Sequence, residues 1–300
     1  MPDEQRFQAF WQAPSLLCWH WPGAPGATLA FPPAKPYVAG IINVTPDSFS
    51  DGGAYPTAAD AASRALAMAE EGAAIVDVGG QSSRPGYTPI SAAEEEERVL
   101  PVLAAIREAS GGFSRRILIS LDSDKPGLAE KALRFGFADI LNDVSGGNPA
   151  MARAAAMHNA PLVLMHRPTS PGRGGLASVM EDLAAMRMSY TEAGLPLANI
   201  ALDPGLGFGK SDEENLALLS NCRQLLGLGS PLYIGASRKR FIGETTGNPE
   251  AARRLGGSLA AAVWAASAGA SILRVHDVKE TAEALAMAAA LRDSCHGAKR

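Results

Sequence analysis

The fold is first indicated by the segment Tyr37-Val-Ala-Gly-Ile-Ile-Asn-Val-Thr-Pro-Asp-Ser-Phe-Ser-Asp-Gly-Gly53. An apolar run from Val38 to Val44 is interrupted by one amide, at Asn43, and is then broken by Thr45-Pro46. The loop that follows contains hydroxyl groups, two acids and paired glycines. Such a loop suits either an ordinary surface turn or a segment that closes over a ligand. The segment therefore predicts a buried strand whose carboxyl end is either a simple cap or part of a site.

Short apolar runs of this kind recur along the chain and alternate with longer segments rich in Ala, Glu and Arg. We predict eight strands, at 37–44, 74–79, 117–122, 138–143, 161–165, 200–203, 231–236 and 271–275. We predict helices at 58–71, 92–109, 127–135, 149–158, 178–193, 212–226, 249–268 and 278–292. Strands that are apolar along most of their length are typical of parallel strands covered on both faces.

Eight strand–helix units in a row predict an α/β fold of the (β/α)8 barrel type. A doubly wound open sheet is the alternative. It is less favoured because polar residues end nearly every strand, as they do around a barrel mouth, whereas an open sheet concentrates its site at one crevice.

Residues 1–35 stand apart as an N-terminal extension, and residues 36–300 form a single barrel domain in this interpretation. Two short apolar runs, 16–21 and 28–31, flank a turn rich in Pro and Gly and predict a β-hairpin. We interpret the hairpin as a plug at the N-terminal end of the barrel, with a partner-binding patch as the alternative.

The composition excludes several classes of protein. The chain has 300 residues, of which 47% are hydrophobic, and a net charge of −4, so no basic surface for nucleic acid is expected. The sequence contains no run of about 18 apolar residues, so no membrane-spanning helix is expected. The three cysteines are far apart and form no CxxC pair, which argues against a disulfide framework or a zinc site and favours a reducing cytoplasm.

Polar side chains follow the predicted strands at their carboxyl ends. They are Asn43, Asp77, Asp122, Asn142-Asp143, Met165-His166, Asp203, Ser237-Arg238-Lys239 and Arg274-Val275-His276-Asp277. In a barrel these ends all lie at one face, so residues far apart in the chain converge. Explaining all of them as packing would require a buried partner for each, so a site is favoured.

One subset of these residues suits a flat heterocycle. Asp122 and Asp203 can accept N–H bonds from an amino-pyrimidinone edge, Asn142 can pair with its polar atoms, and Lys239 can donate to a carbonyl or ring nitrogen. Arg274 could stack its guanidinium on such a ring.

The second subset suits an anion. Arg274, His276, Ser83 and Asn43 offer cationic or polar donors, and glycines of the first two loops let backbone N–H groups approach phosphate oxygens. Asn43 also offers an oxygen to Mg²⁺, which takes a few protein oxygens together with substrate phosphates. Together the subsets predict a heterocycle linked to a phosphate or diphosphate.

Seven motifs, in this order, resemble those of the dihydropteroate synthases. They are Val44–Gly53, Asp77–Gly86, Leu121–Pro126, Leu141–Val144, Leu202–Lys210, Ser237–Lys239 and Arg274–Asp277. The resemblance implies a pterin-binding catalytic barrel that condenses 6-hydroxymethyl-7,8-dihydropterin diphosphate with p-aminobenzoate. It also implies a role in folate synthesis, a homodimer, Mg²⁺ as cofactor and sulfonamides as competitors.

The resemblance implies roles for matching positions. Asp122, Asn142, Asp203 and Lys239 would hold the pterin, with Met165 and Arg274 on its faces. Asn43, Arg274 and His276 would hold the diphosphate, with Asn43 also on the metal. Ser83, Pro85, Phe208 and Lys239 would border the p-aminobenzoate pocket, and Arg84 would also bind substrate. Asp122, Lys239, Arg274 and His276 would be the catalytic residues.

The chain departs from the family pattern near the mouth, in a small way at Ser83, where the family usually has Thr, and more clearly in two other features. Gln81 replaces the usual Glu of the second loop, and the loop after the fifth strand, Met165–Gly175, differs and adds positive charge. Two other functions stay open: a barrel that passes methyl groups from a pterin to a corrinoid protein, and a non-catalytic pterin-binding paralogue.

Overall fold

The apolar run that starts at Tyr37 forms a strand inside an eight-stranded parallel sheet. The computed structural model describes residues 17–20, 28–44, 57–81, 89–112, 117–170 and 172–297, with side chains to 294. Its strands are β1 (Leu17–His20), β2 (Thr28–Phe31), β3 (Tyr37–Asn43), β4 (Ile75–Gly79), β5 (Leu118–Ser123), β6 (Ile140–Asp143), β7 (Leu162–Met165), β8 (Ile200–Asp203), β9 (Tyr233–Ile234) and β10 (Ile272–Val275).

The parallel sheet curves round until its two ends meet. Its strand order is β8-β7-β6-β5-β4-β3-β10-β9. A parallel bridge joins Leu202 to Leu232, and the Leu202 N–H donates to the Pro231 carbonyl at 2.9 Å. The predicted (β/α)8 barrel is therefore confirmed, and the open-sheet alternative is wrong because its edge strands would not meet.

Helices follow the strands along the chain. They are α1 (Ala58–Glu70), α2 (Ala92–Ala109), α3 (Pro126–Arg134), α4 (Pro149–Met157), α5 (Leu176–Glu192), α6 (Asp212–Ser220), α7 (Arg240–Thr246), α8 (Leu255–Ser267) and α9 (Val278–Gly297). Short 3-10 turns lie at Ser110–Gly112, Leu197–Asn199, Cys222–Leu228 and Ala251–Arg253. Across the described residues, none of the helices combines the length and apolar character that a bilayer crossing requires.

Two helix predictions are wrong in detail. The helix predicted at 212–226 ends at Ser220 because the Asn221 amide donates to the Ala217 carbonyl at 2.9 Å and takes up a helix acceptor. The segment predicted as one helix at 249–268 begins only at Leu255. Ahead of it lies α7, which was not predicted and which is capped by Gly247 in the left-handed conformation.

The predicted hairpin is present, as the antiparallel pair β1 and β2. Trp19, Leu29 and Phe31 are buried in one cluster with the first inward-facing residues of the barrel strands, such as Ile75 and Leu118. The Trp19 indole N–H donates to the Ala198 carbonyl at 2.9 Å. The hairpin thus covers the N-terminal end of the barrel. The division of the chain at residue 35 stays a prediction.

Side chains along each strand alternate between the barrel interior and the helices. The inward positions of the lowest layer are apolar: Ala39, Ile75, Leu118, Ile140, Val163, Ala201, Tyr233 and Ile272. Two residues further along the same strands stand Asp77, Ser120, Asn142, Met165, Asp203 and Arg274. The same parity that builds an apolar floor therefore points polar groups into the interior toward the C-terminal mouth.

Candidate active site

The polar residues of four strands meet at Arg274, on β10. Its Nε donates to Asp77 Oδ2, on β4, at 2.6 Å, and its Nη2 donates to Asp122 Oδ2, on β5. The same oxygen of Asp77 accepts from Asn142 Nδ2, on β6, at 3.0 Å. Asp77 is fully buried, and the side chains of Asp122 and Arg274 are each only 15% exposed. Arg274 is therefore held by two carboxylates, not presented as a free cation.

Burial dominates the electrostatics of this cluster. It raises the pKa of Asp122 to about 7, against the effect of Arg274 and with a further rise from the Asp77 carboxylate. Burial alone would lower the pKa of Arg274, but Asp77 and Asp122 raise it well above its usual value. Arg274 is permanently charged, whereas Asp122 can gain or lose a proton near neutral pH.

A second group lies at the ends of β8 and β9. Asp203 is buried, and its Oδ1 accepts from the Gly205 N–H at 2.7 Å. Burial raises the pKa of Asp203, opposed by Lys239. Burial lowers the pKa of Lys239 to about 8, opposed by Asp203. The Lys239 ammonium donates to the Leu206 carbonyl and lies 4.5 Å from the centroid of the Phe208 ring. This places an acceptor, a donor and an aromatic wall side by side.

The loop after β8 is shaped by a buried lysine. Lys210 Nζ donates to the carbonyls of Gly205 at 2.9 Å and Phe208 at 3.2 Å. Lys210 Nζ also donates to the His166 carbonyl at 3.4 Å, so three backbone oxygens accept from this ammonium. Lys210 therefore acts as a clamp that fixes Phe208 at the mouth.

His276 lies beside Ser237 and close to two guanidinium groups. Its Nδ1 lies 3.1 Å from Ser237 Oγ, and its backbone N–H donates to the same oxygen at 3.2 Å. Burial, together with the nearby Arg274 and Arg238 guanidinium groups, lowers the pKa of His276 to about 3. Without a bound anion the ring is therefore neutral at physiological pH and offers a neutral hydrogen bond, and its role toward a diphosphate stays a prediction.

The backbone between Ser237 and Lys239 is unusual. Arg238 has φ +57, a left-handed value that side chains other than glycine rarely adopt. Its guanidinium pairs with both oxygens of Asp277, and its carbonyl accepts from Arg254 at 2.9 Å. These contacts hold a strained residue that turns Ser237 toward His276 and Lys239 toward Asp203.

The other predicted residues fall into three groups. Asn43 is half-buried at the end of β3, and its side chain has no hydrogen bond to the described residues. Met165 is buried at the end of β7, at the inward register next to Asp203. Ser83, Arg84 and Pro85 lie outside the described residues, as does the loop from Thr45 to Gly53.

Two buried acids received no functional role from the sequence: Asp77 was noted only as a strand-end residue, and Glu95 was not noted. Asp77 was visible as a lone acid within the apolar strand Ile75–Gly79, at the same inward parity as the residues beneath it. Glu95 gave no signal, because it lies in the acidic run Glu94–Glu97 that looks like a solvated helix face. It is fully buried instead, with Lys125 Nζ 4.0 Å from its carboxylate, and burial raises its pKa.

The described residues could bind a metal ion only together with oxygens of the substrate. Among the residues that the structure describes, no group of three or more His, Cys, Asp or Glu side chains converges as a metal site. Asn43 offers one amide oxygen without another partner there. Mg²⁺ keeps several waters and often takes one or two protein oxygens plus substrate phosphates, so a single amide at the mouth fits this mode.

Comparisons with known proteins agree with this geometry. The family model described as "Pterin binding enzyme" matches residues 39–276. A dihydropteroate synthase of Bacillus subtilis is 42% identical over 251 residues, which cover 83% of this chain and 86% of the relative. A dihydropteroate synthase of Escherichia coli K12 is 41% identical over 261 residues, covering 84% and 90%.

Solved structures match at the level of the whole barrel. Dihydropteroate synthase of Xanthomonas albilineans with 4-aminobenzoic acid has a TM-score of 0.80 at 40% identity and covers 89% of this chain and 96% of its own. The Yersinia pestis enzyme in a sulfonamide drug complex has a TM-score of 0.80 at 36% identity, covering 90% and 98%. The Thermus thermophilus enzyme in complex with 6HMPPP has a TM-score of 0.73 at 39% identity, covering 86% and 94%.

Proposed function

The chain belongs to the pterin-binding enzyme family, among the dihydropteroate synthases, and we propose from this which of its residues perform the reaction. The enzyme is a transferase that condenses 6-hydroxymethyl-7,8-dihydropterin diphosphate with p-aminobenzoate. The products are 7,8-dihydropteroate and diphosphate, in folate synthesis. The observation that carries the assignment of residues is that Arg274 is paired with Asp77 and Asp122 inside the barrel mouth, where Asn142 donates to Asp77.

The pterin is held by the group Asp122, Asn142, Asp203 and Lys239, with Met165 and Arg274 against its faces. Asn142 Oδ1 is buried and finds no hydrogen-bond partner in the described part of the chain. Because buried acceptors are almost always satisfied, a ligand N–H is a suitable partner for it. The carboxylate of Asp122 accepts from the amino-pyrimidinone edge when it is ionised.

The chemistry requires charge stabilisation, not a protein nucleophile. The C–O bond to the departing diphosphate is allylic-like on the pterin, so it can break ahead of attack by the neutral amine of p-aminobenzoate. Arg274 stabilises the negative charge that develops on the diphosphate, and neutral His276 adds a hydrogen bond. Asp122 stabilises the positive charge that develops on the pterin.

Asn43 is the residue proposed to hold Mg²⁺ together with the diphosphate. The bound metal would neutralise phosphate charge and so improve the leaving group. The amide of Asn43 at the end of β3, which has no hydrogen bond to the described residues, supports this assignment. A single amide leaves most of the coordination to phosphate oxygens and water.

Phe208 and Lys239 border the p-aminobenzoate pocket, together with Ser83, Arg84 and Pro85 of the second loop. The contact between Lys239 and the Phe208 ring supports this arrangement. The related Xanthomonas albilineans structure with 4-aminobenzoic acid supports the second substrate, and the Yersinia pestis structure supports sulfonamides as competitors.

The assembly is proposed to be a homodimer formed through α8 and α9, which pack together. Trp264 on α8 and Met287 and Leu291 on α9 are large apolar side chains that are more than half exposed. Apolar side chains grouped on adjacent helices suit an interface between copies. A cytoplasmic location is also proposed, in keeping with Cys18 and Cys222 as free thiols.

The decisive experiment follows diphosphate release from the purified protein. With the pterin diphosphate and Mg²⁺, release should depend on p-aminobenzoate and yield dihydropteroate. Binding of the pterin without any such release would instead identify a non-catalytic paralogue. Transfer of a methyl group from methyltetrahydrofolate to a corrinoid acceptor would identify the methyl-transferring relative.

A further inference from the structure

Two residues of the loop after β7 pack closely against glycines of the neighbouring loops. An added Cβ on Gly146, which has φ +78, would come within 2.8 Å of Arg167 Cβ. An added Cβ on Gly209 would come within 2.9 Å of Pro168 Cγ. The loops after β6 and β8 therefore leave room for Arg167 and Pro168, and the Cβ of Arg167 packs closely against Gly146.

The guanidinium of Arg167 extends to the aromatic wall of the proposed second-substrate pocket. Its Cζ lies 5.7 Å from the centroid of the Phe208 ring, within the range of a cation–π contact. Lys239 Nζ approaches the same ring at 4.5 Å. Phe208 thus has two cationic groups close to its ring, which gives this side of the mouth a positive potential that favours an anion.

The Arg167 guanidinium differs from other arginines near the mouth in its contacts. Among the residues that the structure describes, its guanidinium has no hydrogen bond and no carboxylate in salt-bridge contact. Other arginines near the mouth are paired: Arg173 with Asp182, Arg238 with Asp277, Arg240 with Asp212, and Arg274 with Asp77 and Asp122. The half-buried Arg167 is therefore available to an anionic ligand in a way that these side chains are not.

We propose that Arg167 binds the carboxylate of p-aminobenzoate and so makes the second-substrate pocket selective for an anion. The proposal rests on the proposed function. The amine of p-aminobenzoate must face the pterin carbon, so the carboxylate at the other end of the ring points away, toward the loops. An arginine–carboxylate pair is charge-assisted and can be bidentate, and it would add recognition that a neutral sulfonamide cannot use.

The test compares Arg167→Gln and Arg167→Lys with a control, Arg153→Gln, which removes an exposed arginine from α4. Arg167→Gln should raise the KM for p-aminobenzoate about tenfold, and Arg167→Lys should restore part of the loss. The KM for the pterin diphosphate should not change, nor should inhibition by two neutral competitors, sulfanilamide and p-aminobenzamide. The control should leave all four quantities unchanged.

Ionic strength gives a second readout that a merely structural role would not move. Added salt should raise the KM for p-aminobenzoate of the unaltered enzyme, and this dependence should be weaker in Arg167→Gln because a screened ion pair has been removed. Equal losses for p-aminobenzoate and the neutral competitors would overturn the proposal, as would a loss confined to the pterin diphosphate. Unchanged KM values in an active Arg167→Gln enzyme would also overturn it.

The two proposals fail in different ways. If the unaltered protein releases no diphosphate with p-aminobenzoate, the proposed function fails. If it does and Arg167→Gln behaves like the control, only the role of Arg167 fails. Calorimetric binding of the pterin diphosphate to each variant shows that the barrel is intact, so a misfolded variant cannot be mistaken for a specific loss.

Discussion

Asp77, at the middle of β4, accepts a hydrogen bond at 2.6 Å from Arg274, which lies 197 positions later in the chain. Arg274 is on β10, and β3 lies between β10 and β4 in the sheet. Because the same oxygen also accepts from Asn142 at 3.0 Å, one fully buried carboxylate contacts two side chains of the proposed pterin site. Asp77 is therefore a positioning residue, and its charge is shared with Asp122 through Arg274.

Replacing Asp77 should show whether it positions Arg274 for the reaction or only stabilises the fold. In Asp77→Asn, Arg274 loses one of its two carboxylates, so kcat/KM for the pterin diphosphate should fall at least about tenfold. Removal of the Asp77 charge should also lower the pKa of Asp122, because the Asp77 carboxylate contributes to its rise. Steady-state kinetics across pH 5.5–8.5 (an assay range of about three units) would show both effects.

A matched control exists at the other end of the barrel. Asp139 is also buried and pairs with Arg107 at 2.6 Å, but it accepts from the Ile119 N–H at the start of β5. Both Asp→Asn variants should lose stability, on the order of 3 kcal/mol. Only Asp77→Asn should change the pH profile, and an identical profile in the two variants would contradict the positioning role.

The sequence predicted the barrel because each strand carries its own signal. Strands such as Leu162–Met165 are apolar on both faces, and β-branched or leucine side chains fill them whether they face the helices or the interior. The polar ends of these strands were equally visible at Asp122, Asn142 and Asp203. A convergent site follows from these local signals once the strands close into a ring.

What the sequence could not predict depends on which partner each side chain meets. The charge of His276 depends on how deeply it is buried and on the Arg238 guanidinium from a different strand end, and neither can be read from the Arg274-Val275-His276 segment. Glu95 lies in a run of four acids, so only the packing shows that it is buried. The short helix α7 was missed because its seven residues give too few turns for an apolar periodicity.

The raised pKa of Asp122 should give pterin binding a pH dependence. Burial raises this pKa from 3.8 to about 7 in the folded protein, so the carboxyl binds a proton between these values while the unfolded chain does not. The stability that it contributes is complete below pH 3.8 and is lost as the pH rises through about 7. Pterin affinity should change in the opposite sense, because the ionised carboxylate accepts the ligand N–H groups.

Calorimetric titration of the pterin at several pH values between 6 and 8 (about one unit either side of the midpoint) would check this. Binding should weaken as the pH falls through about 7, and Asp122→Asn should bind weakly without that dependence. Asp139→Asn serves again as the control, and its pterin affinity should depend on pH as that of the unaltered protein does. Equally tight binding at both ends of the range would show that ionisation of Asp122 is not required.

His276 should remain neutral throughout the physiological range. Because burial lowers its pKa from 6.5 to about 3, the unfolded state takes up a proton over this interval and the folded state does not. The stability from the neutral ring is therefore present above pH 6.5 and is lost as the pH falls toward 3. In NMR titrations its ring protons should not shift between pH 5 and 8, about the range in which an ordinary histidine titrates.

The variant His276→Gln keeps a hydrogen-bonding group and removes the titration. The loss of unfolding free energy between pH 7 and 5 (about two units around the ordinary histidine pKa) should be smaller in this variant. His158, on the C-terminal end of α4 and exposed, provides the control as His158→Gln. A His276 resonance that titrates near its ordinary pKa would refute the neutral assignment and restore a cationic role.

Asn43→Ala should raise the requirement for Mg²⁺. Because the amide is the protein oxygen proposed for the metal, its loss should increase the Mg²⁺ concentration for half-maximal rate about tenfold. The maximal rate at saturating metal should fall less. Asn221→Ala removes an exposed amide at the end of α6 and should leave the metal dependence unchanged. An unaltered Mg²⁺ dependence in Asn43→Ala would remove Asn43 from the metal site.

The exposed face of α8 and α9 should be the contact between two copies of the chain. Trp264 is 56% exposed, and burial of such a ring against a partner would contribute on the order of 2 kcal/mol to association. Trp264→Glu places a charge there and should shift sedimentation from dimer to monomer at micromolar protein. Met157→Glu is the matched control, because Met157 is 72% exposed on α4, outside this face, and should leave the dimer intact. A monomeric unaltered protein, or a Trp264→Glu variant that stays dimeric, would show that this face does not join the copies.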